Sequence, residues 1–582
     1  MPAFRWSLLS PDDPSVVERL VSLLNISPAL ARVLALRGVR TFEQARRFFR
    51  PHWGELFDPF LMRDMEPAAR RLAEAVRRSE PVLVYGDYDV DGTTATAMMY
   101  TFLKSLGVPV SYYVPSRYRE GYGLNLAGIE QADALGVRLI VALDCGITAL
   151  EEAQEARRRR IDLIICDHHE PGPLLPEALA VLDPKRPDCP YPFKELTGCG
   201  VGFKLIQATL QELGLDPMLA EEYLDLVAVS TASDIVPLVE ENRVLMRLGL
   251  ERLNRNPRPG LQALIERAGL RAGELSTHQI VFMLGPRINA AGRMGDARVA
   301  VELLIARSTE EASQLAELLE QLNRQRRELD DRTHEEAVRL AEEEFIARGY
   351  RGLVLYQPHW PLGVIGIVAS RLVERFYRPT VMLTAVDGLV KGSARSIEGY
   401  DLFAAIRACE DLLLQFGGHR YAAGMSLEPR NVAAFQERFN AVVWETLDET
   451  LLIPELRIDA PLELRDITPR FWKVLQQFAP YGPQNMQPLF VAHNVRVRSM
   501  PAIVGSGHLK FTVDQPGGPT FEVIGFQMHE LYPLVRRARE GRPVSIVFSI
   551  EENVYNGIPS LQLRLRDLRL LEGAKEVWNG SP

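Results

Sequence analysis

Three aspartates, Asp87, Asp89 and Asp91, occupy alternate positions in VLVYGDYDVDGTTATA, directly behind an apolar, β-rich run. Carboxylates repel one another and are strongly hydrated, so three gathered at one strand end point to a cation that holds them. The arrangement recurs: Asp144 closes LIVALDCGIT, Asp167-His168-His169 closes IDLIICDHH, and Asp234 closes VAVSTASD. Carboxylates with an imidazole suit a divalent ion of the magnesium and manganese class, and the imidazole moves the preference toward manganese. One ion needs fewer ligands than this once water and substrate also bind. Two ions about 3.5–4 Å apart, sharing a carboxylate, would use them all, and such a pair suits hydrolytic phosphoryl transfer. Helix N-capping would explain any one of these aspartates. Four strand-like segments, each ending on a metal-ligand type, are better explained by one site.

The ligand-bearing segments lie in a repeated pattern of short strand, loop and helix, over residues 80–307 taken as one catalytic domain. VLVYG, VSYYV, LIVAL, LIICD and ALAVLD alternate with helical stretches such as TATAMMYTFLKSLG. That alternation predicts an α/β fold with a parallel sheet and its ligands at the carboxyl ends of the strands. Upstream, residues 1–79 read as a helical segment. Downstream of 240 come helices around a loop, GPRINAAGRMGDAR, whose Arg287, Asn289 and Arg293 suit phosphate. Residues 308–348 contain no Gly or Pro and predict one long connecting helix.

A second α/β domain is expected over 349–452, with strands GLVLYQ and TVMLTA and two glycine-rich loops, GSARS and GGHRYAAGM. Gly417, Gly418 and Gly424 permit close approach of backbone to a ligand. Ser393 and Arg395 add a hydroxyl and a planar phosphate-binding fork, and with His419 these groups read as a substrate clamp. Residues 453–582 turn β-rich and predict a small barrel of the oligonucleotide-binding (OB) type.

Composition narrows the class. At 582 residues the chain exceeds one core. No apolar run approaches the roughly 20 residues that span a bilayer, and the start lacks a signal-peptide pattern, so a cytoplasmic protein with no membrane partner is expected. The cysteines at 145, 166, 189, 199 and 409 form no CxxC pair, which argues against structural zinc and a disulfide framework. A net charge of −9 leaves a polyanion partner open, because the local field along a groove decides. No GxxxxGK[ST] occurs and no GxGxxG follows a strand, so an ATP-driven enzyme is not expected. GCGVGFK (198–204) reads as a tight strand-to-helix turn.

GDYDVDGTT, ALDCGIT, CDHHE and STASDIVPL resemble, in order and spacing, the four signatures of the DHH phosphoesterase superfamily. With ISPALARVLALRGVRTFEQARRFFRP, GPRINAAGRMGDA, QRRELD, GSARS and FGGHRYAAGM added, residues 25–570 resemble the RecJ family of single-stranded-DNA exonucleases. The resemblance implies 5′→3′ release of mononucleotides from single-stranded DNA with Mn²⁺ or Mg²⁺, in recombination and repair. It implies a DHH catalytic lobe, a DHHA1-type second lobe and the OB-type barrel. It implies Asp89, Asp91, Asp144, His168 and Asp234 as ligands of two ions, with Asp144 bridging. Asp87 and His169 would stand in or beside the coordination sphere, His169 touching the scissile phosphate or the leaving oxygen. Arg287, Ser393, Arg395 and His419 would hold substrate phosphates. The expected partners are single-stranded DNA, a helicase and a single-strand-binding protein, and the expected state is a monomer. A phosphoesterase of short oligonucleotides or cyclic dinucleotides would not need the barrel. An inactive single-strand-binding scaffold would not keep every carboxylate and both histidines.

Overall fold

The computed structural model describes residues 4–555 and 558–571. Its contacts divide the chain into two units, one of residues 50–332 with 480–486 and the other of the remainder.

The first unit is built on five parallel strands: β1 (Val82–Gly86), β2 (Val110–Tyr113), β3 (Leu139–Leu143), β4 (Asp162–Cys166) and β5 (Ala180–Leu182), in the order β2-β1-β3-β4-β5. Every residue of β1 and β3 is buried, as a sheet covered on both faces requires. Their side chains alternate between two cores. Val82, Val84, Val141 and Leu143 point into one, and Leu83, Tyr85, Ile140 and Ala142 into the other. The chain leaves β1 toward β2 on one side, while β3 pairs with β1 on the other side. The crevice at the carboxyl ends of β1 and β3 is therefore the topological switch point where open α/β sheets bind ligands.

Helices α1 (Val90–Ser105) and α2 (Gly198–Glu212) pack on this sheet, and α3 (Leu224–Ser233) packs against both helices. The segment ending at Asp234, expected as a strand, is thus a helix. All of residues 224–232 are buried, and an apolar run buried on every side shows no period that separates helix from strand. GCGVGFK is the first turn of α2, capped by the Thr197 side chain on Gly200 N, rather than a strand-to-helix turn. GPRINAAGRM, expected as a loop, forms helix α4 (Gly285–Met294). It continues directly from the π-helical stretch Ile280–Leu284, and Pro286 stands just past that junction. Helix α5 (Thr309–Leu340) is the expected long helix and continues into a π-helical turn over Ala341–Ile346.

The second unit holds a sheet of β6 (Leu353–Tyr356), β7 (Thr380–Val386), β8 (Leu389–Arg395), β9 (Gln415–His419) and β10 (Ala422–Leu427), in the order β9-β10-β8-β7-β6. The two glycine-rich stretches expected as loops lie mainly in strands β8, β9 and β10. Their backbone hydrogen bonds complete the sheet where few large side chains are present to signal it. The OB-type part follows, with β11 (Phe490–Val497), β12 (His508–Asp514), β13 (Phe521–Gly525), β14 (Val544–Tyr555) and β15 (Ile558–Leu570). They pair in the path β11-β14-β15-β13-β12, and two residue pairs, Arg496 with Asp514 and Val497 with Val513, bring β12 back to β11. The segment 1–79, expected as helical, also contributes the strand Arg5–Leu8, which pairs in parallel with Glu455–Ile458. The Trp6 indole N–H donates to Asp567 Oδ2 at 2.7 Å. Among the described residues no single helix is long and apolar enough to cross a membrane.

Candidate metal centre

Strand β1 delivers the chain into a turn that becomes α1. Asp89 is the N-cap of that helix, Oδ1 accepting from Gly92 N at 3.0 Å, so capping and a place in the cluster coincide. Gly92 lets this turn close: a β-carbon there would stand 2.5 Å from Asp87 N. Asp87 is fully buried, and neither carboxylate oxygen has a hydrogen-bond partner. Asp91 is the most heavily bonded of the three. Its Oδ2 accepts from Gly198 N at 2.7 Å, and its Oδ1 accepts from Cys199 N at 2.9 Å and Ser230 Oγ at 2.7 Å. The first turn of α2 thus clasps Asp91, with its free N–H groups and helix dipole favouring the charge.

Asp144 follows β3 in a left-handed conformation, φ 61°. Its N–H donates to Cys166 O at 2.8 Å, which fixes it against the end of β4. His168, just beyond β4, directs Nε2 to within 3.2 Å of Asp144 Oδ1 and 3.7 Å of both Asp91 Oδ2 and Asp234 Oδ2. Asp144 Oδ1 and His168 Nε2 are buried without hydrogen bonds. Asp234 is the C-cap residue of α3, and the next residue, Ile235, holds φ 60°.

These side chains fall into overlapping groups whose ligand atoms lie within 4.8 Å of one another: Asp87, Asp89 and Asp144; Asp91, His168 and Asp234; and Asp144, His168 and His169. Asp144 is shared by the first and third groups and touches the second through His168. Burial, then the charge of Asp89, pushes the Asp87 carboxyl well above its usual range. Burial, then the charge of Asp91, does the same to Asp144 and Asp234. Burial also pulls the His168 imidazole down, against the pull of Asp91. Buried acceptors that resist ionising together, with orphaned oxygens and an unpaired ring nitrogen, are what bound divalent cations would relieve. The residues present fit such ions.

Asp167 acts differently from its neighbours in the triplet. Its Oδ2 accepts from Ile147 N at 2.9 Å; its Oδ1 accepts from His168 N at 2.7 Å and His169 N at 3.2 Å, and lies 2.7 Å from His169 Nδ1. Burial opposes ionisation of Asp167, yet the His169 hydrogen bond and charge hold its carboxyl below the usual range. Burial likewise works against the His169 imidazolium, and Asp167 outweighs it, raising His169 to about 9. The Tyr122 hydroxyl lies 3.0 Å from His169 Nε2 and 3.1 Å from the Asp144 carbonyl. The roles of Asp167 and Tyr122 in orienting this site were missed from sequence. Asp167 signalled itself only by its place in the triplet, and Tyr122 lies in a loop with no signal.

The remaining candidate residues fall in two places. Arg287, Asn289 and Arg293 lie on α4. The Arg287 guanidinium donates to Glu320 Oε2 at 2.6 Å and Met283 O at 2.7 Å, and the Arg293 carbonyl accepts from the Tyr118 hydroxyl. The second unit carries the others. Gly417, Gly424 and Ser393 form one cross-strand row over β9, β10 and β8, with Gly418 and His419 following on β9. Arg395 Nη1 donates to Ser393 Oγ at 3.1 Å, and burial lowers the Arg395 pKa.

A parallel sheet that carries an Asp-His-His triplet and clustered aspartates at its switch point defines a protein of the DHH class. Residues 81–231 match the family model "DHH family, N-terminal domain", 349–445 the "DHHA1 domain" and 458–567 the "RecJ OB domain". The chain is 38% identical to the Bacillus subtilis "Single-stranded-DNA-specific exonuclease RecJ", over 98% of this chain and 71% of that protein. It is 38% identical to the Escherichia coli protein of the same name, over 92% of this chain and 95% of that one. A crystal structure of RecJ with Mn²⁺ from Thermus thermophilus superposes with a TM-score of 0.82 at 30% identity, covering 98% of this chain and 80% of that chain. A Mg²⁺ complex of RecJ from the same organism superposes with a TM-score of 0.76 at 28% identity, covering 98% and 79%. The chain belongs to the RecJ family.

Proposed function

We propose that this protein is a single-stranded-DNA-specific exonuclease that hydrolyses phosphodiester bonds from the 5′ end and releases 5′-mononucleotides. Its cofactors are Mn²⁺ or Mg²⁺, which Asp89, Asp91, Asp144, His168 and Asp234 would hold, with Asp87 in or beside the coordination sphere. The observation that carries this reading is the pair of adjoining ligand groups, Asp87-Asp89-Asp144 and Asp91-His168-Asp234, joined where Asp144 Oδ1 lies 3.2 Å from His168 Nε2. When bound, the ions supply a hydroxide nucleophile and stabilise charge on the transferring phosphoryl group. The chain's residues do the rest. Asp167 fixes the His169 ring through Nδ1 and favours its protonated form, so that Nε2, which meets the Tyr122 hydroxyl at 3.0 Å, can turn its hydrogen bond to a phosphate or leaving oxygen when substrate enters. The first turn of α2 holds Asp91 in place, and Ser393 and Arg395 offer a phosphate fork in the second unit. The OB-type part supports a single-stranded substrate, since such folds track unpaired strands. We place the protein in the cytoplasm as a monomer that works with a helicase and a single-strand-binding protein in recombination and repair.

Digestion of 5′- and 3′-labelled single strands with Mn²⁺, Mg²⁺ or chelator tests the proposal. Early mononucleotide release from the 5′ label with either metal, and none with chelator, is expected. Early release from the 3′ label, or rapid digestion of blunt duplex, would overturn it.

A further inference from the structure

Ile235 follows Asp234 at the point where α3 ends, in the left-handed conformation with φ 60°. This is the position just past a helix C-cap, which glycine fills most easily. A β-branched residue is the poorest occupant, because its Cβ substituents crowd the backbone in that region. The side chain does not recover the strain by packing, since Ile235 is 63% exposed. A strained, exposed apolar residue therefore stands one position from a carboxylate that lies 3.7 Å from His168. Strain kept beside a reactive cluster invites a functional explanation.

A nucleotide presents two kinds of surface. Its phosphate is met by the charged and polar groups already described. The face of its base is flat and largely apolar, and Ile235 offers an exposed aliphatic side chain one residue from Asp234. We propose that Ile235 is a specificity-determining residue that packs against the base of the terminal nucleotide when the phosphodiester on its 3′ side lies at the metal centre. This rests on the single-stranded-DNA reading above. The stiffness of the strained residue serves the contact, because a β-branched side chain with few rotamers loses little freedom on binding.

The test uses the full chain and the variant Ile235→Gly, which relieves the backbone strain and so keeps the fold. Steady-state kinetics are measured on two single-stranded oligonucleotides that differ only in whether the 5′-terminal nucleotide carries a base. On the normal strand, Ile235→Gly should raise KM about fivefold to tenfold with kcat within about twofold. On the abasic strand, wild type and variant should agree within about twofold. The melting temperature of the variant should equal or exceed that of wild type. An unchanged KM on the normal strand, or an equal rise on both strands, overturns the proposal. Failure of the wild type to digest either strand overturns the exonuclease reading instead, so the two failures are distinguishable.

Discussion

Gly198 and Asp144 meet backbone to backbone: a β-carbon built on Gly198 would stand 2.5 Å from both the Cα and the Cβ of Asp144. The same glycine donates its N–H to Asp91 Oδ2. One residue thus spaces two of the candidate ligands. Gly198→Ala should force Asp144 and the start of α2 apart and lower kcat about 100-fold, since a displacement near 1 Å at a reacting centre has that effect. A melting scan should fall by only a few degrees. Full activity in the alanine variant would show that this contact does not set the ligand spacing.

Asp144 itself should separate stability from chemistry. Its folded pKa lies above its unfolded one, so ionisation of this buried group weakens the fold as pH rises above the unfolded value, and the penalty disappears in acid. Asp144→Asn should therefore be more stable than wild type by about 1–3 kcal/mol in chelator at pH 8. The difference should vanish near pH 4. With excess Mn²⁺ the order should reverse, because the wild type gains more from bound metal. Cleavage should be lost, with strand binding largely intact. Thermal melts with and without metal, at both pH values, check each part.

Asp167→Asn should leave metal affinity within a few-fold of wild type and reduce kcat by about 10²-fold or more, since it removes the carboxylate that orients His169 and stabilises its protonated form. Metal titration followed by heat or fluorescence gives the first number, and single-turnover digestion gives the second. A large loss of metal affinity would place Asp167 among the ligands instead.

The strand ends carrying Asp87 and Asp144 were legible in sequence because VLVYG and LIVAL are short, β-rich and bounded by turns, and both form strands over those residues. Asp234 was legible as a residue type but not as a position. Its helix is buried all round, which removes the amphipathic period. GSARS and GGHRYAAGM were misread as loops for the opposite reason, because glycine and small residues mask a strand that is defined by its neighbours' hydrogen bonds. Asp167 shows a third limit. Three adjacent ligand types were visible, yet which of them faces inward depends on how the turn after β4 aims each side chain. Here that turn spends the Asp167 oxygens on Ile147, His168 and His169.

In the OB-type part, Asp514 Oδ1 accepts from Arg496 Nε at 2.9 Å and Oδ2 from Arg498 Nε at 2.6 Å. Burial raises its pKa, and the two arginines more than offset that and hold it below the usual value. A depressed carboxylate stabilises the fold above its unfolded pKa and loses that contribution as pH falls through the folded value. Asp514→Asn should thus destabilise this part by about 1–3 kcal/mol at pH 7. The gap to wild type should narrow below about pH 4. Denaturant melts across pH check the slope. A gap independent of pH would assign the stabilisation to shape rather than charge.

The pairing of Arg5–Leu8 with Glu455–Ile458 sets an order on synthesis. The strand Arg5–Leu8 is translated well before its partner, which follows about 450 residues later. At roughly 5–20 residues per second, that is a wait of about 20 seconds to a minute and a half. Most of the metal-bearing unit, residues 50–332, is translated inside that interval. The unit that carries the chemistry can therefore collapse while the first strand is still unpaired. The nascent chain can close on Arg5–Leu8 only once about four-fifths of these residues are made, so a product terminated earlier would bear the cluster of aspartates without the OB-type part.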